Sequence, residues 1–155
     1  MRMRVNRGKD FEKIIFNSIS CVESVSIDRI HDQTTGYAGS SNICDFIVYK
    51  YPRQLYLECK TVHGASLPFR NITKRQWEGL LQKSNLRGVF AGILCWWVDK
   101  DTTLFLPIRK LDEERKNGKK SIRYDVEQRD GVLPLTGRKK RVLFEYDVEK
   151  FLNEF

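Results

Sequence analysis

Ile43-Cys44-Asp45-Phe46-Ile47-Val48-Tyr49 and Leu55-Tyr56-Leu57-Glu58-Cys59-Lys60 are two apolar runs joined by the polar link Lys50-Tyr51-Pro52-Arg53-Gln54. Each run has the length of a buried strand, and the link reads as a turn. Side chains alternate along a strand, so Glu58 and Lys60 face one way and Leu57 and Cys59 the other. Paired as a hairpin, the runs bring Asp45 onto the face that carries Glu58 and Lys60. Two carboxylates and an ammonium among apolar residues are costly to bury unless they pair or hold a metal ion. That cost makes the hairpin a candidate metal-dependent site. The plain alternative is an acidic pair on a half-exposed sheet, which the residues taken alone favour.

Upstream of the hairpin, Asp10 can cap a helix in which Phe11, Ile14, Ile15 and Ile19 recur at helical spacing. A strand follows at Val25–Ile30, then the polar, glycine-bearing stretch His31–Asn42, which reads as a loop or protrusion. Downstream, residues 61–71 form a loop with Gly64 and Pro68. Thr73 starts a second helix, with Gln76 placed to complete a capping box and Trp77, Leu80 and Leu81 as its apolar face. Val89–Val98 is a long apolar strand, Thr102–Leu106 a return strand, and Pro107 opens a polar helix to Asn117. Residues 118–141 are charged with weak periodicity; Val142–Tyr146 reads as a short strand and residues 147–155 as a final helix. This order predicts an α/β (mixed α+β) fold, one domain over residues 1–155 layered around a central sheet.

The 155 residues are 41% hydrophobic, enough for a sizeable core. No apolar stretch is long enough to span a bilayer, and the basic start Met1–Val5 lacks the apolar region of a signal peptide. Cys21, Cys44, Cys59 and Cys95 show no C-x-x-C pairing, and histidine occurs just at His31 and His63. Reduced, mostly buried thiols in a cytoplasmic protein are expected rather than disulfides or a zinc site. The formal charge of +8 favours a polyanionic partner, above all nucleic acid. Basic residues crowd the N-terminus (Arg2, Arg4, Arg7, Lys9), then Lys116–Arg123, then Arg138–Arg141.

The chain resembles the RecU-type Holliday junction resolvases, within the PD-(D/E)xK nuclease superfamily. Asn6-Arg7-Gly8 with Phe11-Glu12 matches the family's N-terminal helix motif, Asp45 its metal-binding aspartate, and Glu58-Cys59-Lys60-Thr61 its E-x-K strand. Ser66-Leu67-Pro68-Phe69 matches the loop that follows, Gln76 the glutamine of the next helix, and Gly92-Ile93-Leu94 the next core strand. The likeness covers roughly residues 6–110. Cys44 stands where the superfamily's proline would be, and residues 32–42 sit where such enzymes carry a longer protruding stalk. Small size and a short stalk point to a phage version.

The resemblance implies a restriction-endonuclease-like core and a homodimer that nicks four-way DNA junctions with Mg²⁺, Mn²⁺ substituting. A PD-(D/E)xK nuclease of other specificity, or a branched-DNA-binding module without catalysis, remains open at this point. Asp45 and Glu58 are then metal ligands, joined by the Cys59 carbonyl and by Glu12, directly or through water; hard oxygens suit Mg²⁺. Lys60 orients the attacking water and offsets transition-state charge, against the alternative of a plain ion pair with Glu58. Glu12 has the alternative of an acid in a first helical turn. Gln76 contacts phosphate, water or Lys60, or simply caps its helix. Arg7, Lys9, Arg70, Lys74 and Arg75 are candidate DNA-backbone contacts, and Tyr37 a candidate wedge at the branch point.

Overall fold

The computed structural model describes residues 5–31 and 42–155. Helix α1 (Arg7–Ser20) buries Phe11, Ile15 and Ile19, spaced four residues apart along one face. It begins earlier than the sequence reading placed it. Asn6, not Asp10, is the cap, its side-chain oxygen accepting from the Lys9 amide at 3.2 Å. Asn and Asp cap equally well, so the choice between two capping residues four positions apart lies in the chain's entry path rather than in propensity. Asp10 falls instead in the first turn, where a negative charge suits the helix dipole and meets Arg7 at 3.7 Å.

Strands β1 (Val25–Arg29), β2 (Phe46–Lys50) and β3 (Arg53–Val62) pair antiparallel in succession. Strand β4 (Ser66–Pro68) leads through the single turn Phe69–Asn71 to helix α2 (Lys74–Ser84) and on to β5 (Val89–Trp97), which lies parallel to β3. Then come β6 (Thr102–Pro107), α3 (Ile108–Lys116), β7 (Ser121–Arg123), β8 (Leu133–Pro134), β9 (Gly137–Lys140), β10 (Leu143–Tyr146) and α4 (Val148–Leu152). The main sheet runs β1-β2-β3-β5-β6-β8, with two-stranded ribbons β4/β7 and β9/β10 beside it. This is the mixed α/β architecture expected from the sequence. The 118–141 segment, which showed little periodicity, supplies three short strands; β9 is exposed along its whole length, so no apolar alternation marks it.

Two cores lie on opposite faces of the sheet. On one, α1 and α4 cover Phe46, Val48, Leu55, Leu57, Cys59, Leu94 and Trp96. On the other, α2 and α3 cover Val62, Ala91, Ile93, Cys95, Trp97 and Leu104. The alternation on β3 therefore holds: Leu55, Leu57 and Cys59 face α1, so Glu58 and Lys60 fall on the α2 side. Trp96 and Trp97 are both buried, on opposite faces. No described helix is long and apolar enough to cross a membrane.

One close approach fixes α2 against the strand that begins after Asp45. A Cβ added to Gly79 would lie 2.2 Å from Ile43 Cγ2 and 2.7 Å from its Cβ. Alanine in a helix interior gains about 0.5–1 kcal/mol over glycine, whereas overpacking costs about 1–3 kcal/mol. Gly79→Ala is therefore expected to lower stability by about 1 kcal/mol despite its better helix propensity. Chemical denaturation reads it; a stabilised protein would show that Ile43 yields without consequence.

Candidate active site

Asp45 stands one residue before β2, and the ladder continues through it. Its amide donates to the Leu57 carbonyl at 3.1 Å and its carbonyl accepts from the Ile30 amide at 2.9 Å. The register that pairs Phe46 with Leu57 sets Asp45 opposite Glu58. One Asp45 carboxylate oxygen also accepts from the Cys59 amide at 2.8 Å. Backbone bonds thus fix the Asp45 main chain on both sides, and the Cys59 amide holds its carboxylate. The Cys59 thiol is buried on the α1 side, so this residue can offer a ligand through its backbone alone. A strand residue's C=O emerges on the same side as its N–H, which for Cys59 is the Asp45 side.

Glu58 is 5% exposed. One of its oxygens accepts from Lys60 Nζ at 2.8 Å and from Gln76 Nε2 at 2.8 Å. Gln76 Oε1 in turn accepts from Lys60 Nζ at 3.3 Å and from the Thr73 amide at 3.0 Å, while the Thr73 hydroxyl accepts from the Gln76 amide at 3.2 Å. The capping box and the polar contact are thus one arrangement, not alternatives: closing the box on Thr73 holds the Gln76 amide against Glu58 and Lys60.

Burial raises the pKa of both carboxyls. For Glu58 burial is the largest cause and the Asp45 charge the next, outweighing Lys60 and pushing it up to about 7. Asp45 is raised by burial and opposed by the Cys59 N–H and the Lys60 ammonium. Burial together with the neighbouring Asp45 charge favours a proton on Glu58. Two carboxyls whose burial disfavours their charged forms, with Lys60 offsetting only part of that cost, form a site whose charge a divalent cation would offset.

Glu12 reaches the same site from α1. Burial, then the negative charge of Asp45, raise its pKa, while Arg29 lowers it. It ion-pairs with Arg29, and the two line a cleft of about 780 Å³ with Lys9, Lys13, His31 and Asp45. Glu12 lies beyond the first turn of α1, so the helix-dipole account does not apply to it. Among the described residues no three His, Cys, Asp or Glu side chains converge closely enough to cage a metal. Glu12 is turned to Arg29, and Glu58 to Lys60 and Gln76.

Of the candidate DNA contacts, Lys9 lines the cleft, Arg7 stands on the first turn of α1 beside Asp10, and Lys74 and Arg75 stand on the first turn of α2, where Lys74 meets Glu78 at 3.8 Å. Arg70 is exposed on the turn before α2 and lines a separate groove. Tyr37 and most of the stalk-like stretch 31–42 lie outside the described residues. Sequence reasoning missed Arg29. Its signal was present: Val25, Ile27 and Arg29 alternate along β1, and the first two pack into the α1-side core, so the third is a charge on an apolar face. The side chain lies over the Phe46 ring, 5.6 Å from its centre.

A search of the curated proteins returned no match. Among solved structures, the chain is similar to Hjc of Archaeoglobus fulgidus, described as a Holliday junction resolvase from an archaeal hyperthermophile. That similarity has 16% identity and a TM-score of 0.44, over 65% of this chain and 74% of that one. The model of the family Recombination protein U matches residues 11–144, which takes in α1 from Phe11 onward, the Asp45–Lys60 hairpin, α2 and the 118–141 segment. The chain belongs to the Recombination protein U family.

Proposed function

We propose that this chain resolves four-way DNA junctions by Mg²⁺-dependent phosphodiester hydrolysis, as a homodimer. Membership of the family carries the coarser statement: the chain is a structure-specific nuclease of branched DNA, a Holliday junction resolvase. The observation that supports the metal reading is the meeting of Asp45 and Glu58 on adjacent strands. Both carboxyls are held by donors and both are raised in pKa by burial. Their oxygens and the Cys59 carbonyl form a hard donor set that fits Mg²⁺ or Mn²⁺. A bound ion would supply Lewis acidity and a more acidic water.

The chain's own groups do the rest. Lys60, held 2.8 Å from Glu58 and 3.3 Å from Gln76, places an ammonium where a water and a phosphate oxygen would sit, to orient one and offset charge on the other. Gln76 keeps Lys60 in that place. Glu12 adds a further carboxylate once Arg29 turns to a phosphate. Lys9, Arg7, Lys74 and Arg75 hold the DNA backbone, which sets position rather than sequence choice. A junction has near two-fold symmetry and needs two opposed nicks, so a symmetric pair of subunits suits it. The test compares cleavage of a four-way junction and a linear duplex, with Mg²⁺ and with chelator. Junction-selective cutting that stops with chelator is expected; equal cutting of both DNAs, or cutting that survives chelation, overturns the reading.

Glu12→Ala separates structure from chemistry. The Glu12–Arg29 pair is partly exposed, with side chains 24% and 40% accessible, and such pairs contribute about 0–1 kcal/mol. Melting should therefore change little while the cleavage rate falls about tenfold or more. A large drop in melting temperature with normal specific activity would leave Glu12 a structural residue.

A further inference from the structure

A second groove, of about 500 Å³, opens between the turn Phe69–Asn71 and strand β7. Pro68 and Phe69 floor it, and Arg70, Arg115, Lys119 and Lys120 rim it; no carboxylate is among its lining residues. Two of the four cations have internal partners. Arg115 meets Asp112 at 3.2 Å and lies over the Trp77 ring at 4.0 Å, and Lys119 pairs with Glu114. Arg70 and Lys120 are exposed, and among the described residues neither has a carboxylate at ion-pair distance. The groove therefore carries positive charge that the fold does not neutralise.

The backbone beneath it is fixed. The Phe69 amide donates to the Lys120 carbonyl at 2.9 Å, Pro68 pairs with Ser121 and Leu67 with Ile122. Phe69 packs edge-on against Trp77 at 5.5 Å, and the Trp77 indole N–H donates to Asp112 at 2.9 Å. The same turn runs directly into Thr73, whose capping box holds Gln76 on Glu58. A rigid, cation-rimmed groove is thus tied by three residues of chain to the candidate scissile site.

We infer that this groove grips the phosphodiester backbone of one duplex arm, with Lys120 and Arg70 as its contacting cations. The inference rests on the chain's being a nuclease of branched DNA, and it gives a role to the basic segment that follows α3. Charge complementarity chooses the occupant: a row of phosphates supplies the anions that the groove lacks, and such contacts position an arm without reading its sequence. An arm held here enters the site at a fixed register from the α2 side, whereas the cleft at Lys9 and Arg29 receives DNA from the α1 side.

The test measures affinity for a four-way junction and for a linear duplex across a salt series, without divalent metal, for the wild type, Lys120→Gln and Lys120→Arg. Lys120 contributes its carbonyl to the fold and exposes its side chain, so both variants should melt with the wild type. Lys120→Gln is expected to make the log–log salt slope shallower by roughly 0.9 and to weaken both DNAs by the same several-fold factor; Lys120→Arg should restore both. An unchanged slope, a loss confined to the junction, or no recovery with arginine overturns the groove assignment and leaves the resolvase reading standing. A wild type with no affinity for either DNA overturns both.

Discussion

Asp45→Asn is expected to abolish junction cleavage while leaving junction binding intact. The substitution keeps an oxygen that can accept from the Cys59 amide, so the local backbone should hold. What disappears is one negative charge from the place where the Asp45 and Glu58 carboxyls face each other. Removing a residue that merely supports a metal ligand typically costs about 10–100-fold, and losing a ligand should exceed that, to about a thousandfold or more. Cleavage in Mg²⁺ beside gel-shift affinity decides it; near wild-type cutting would remove Asp45 from the metal site. The same variant has a second reading in the metal-free protein. The Glu58 carboxyl is raised above its ordinary value of 4.5 to about 7, with the Asp45 charge as the second cause. A carboxyl raised on folding adds stability that is fully present below the ordinary value and is lost as pH rises through the folded one. The wild type should therefore lose stability between pH 4.5 and about 7, and Asp45→Asn should flatten that loss. Melting curves without divalent metal over this range would show it.

What the sequence disclosed here follows from period. On β3 Leu55, Leu57 and Cys59 alternate with Tyr56, Glu58 and Lys60, so both the strand and its charged anomaly could be seen before any contact was known. Trp77 and Leu80 likewise announced the buried face of α2, and Thr73 with Gln76 its start. The hidden parts have physical reasons. The partner of Glu12 is Arg29, seventeen positions away on another element, and long-range ion pairs leave no local pattern. The join of β4 to β7 unites residues more than fifty apart through backbone bonds, which carry no side-chain signature. The closeness of Gly79 to Ile43 is a property of two approaching elements, invisible in either alone.

Gln76→Glu is expected to damage cleavage more than stability, and Gln76→Ala to do the reverse in proportion. Glutamate serves a capping box as well as glutamine does, so the acceptor for the Thr73 amide survives and α2 keeps its start. The amide donor that meets Glu58 at 2.8 Å is lost, and a carboxylate takes its place. A third acid beside Glu58 and Asp45 raises the Glu58 pKa further above about 7, since a like charge disfavours ionisation. It also competes for Lys60, which already lies 3.3 Å from the side-chain oxygen of residue 76. Because a carboxyl must lose its proton to bind a metal, activity at neutral pH should fall by about 10–100-fold and recover in part as pH rises. Alanine keeps the backbone amide that the Thr73 hydroxyl caps but removes the acceptor for the Thr73 amide and both polar contacts, and should cost about 1 kcal/mol of stability without moving the pH profile upward. Melting temperature and pH–rate profiles for the two variants separate the roles. If activity simply follows melting temperature in both, and the profile of Gln76→Glu stays where the wild type has it, then Gln76 is a helix cap that happens to lie beside the carboxyl pair. If the glutamate variant melts above the alanine variant yet cleaves less well at pH 7, the amide donor itself sets the charge of Glu58.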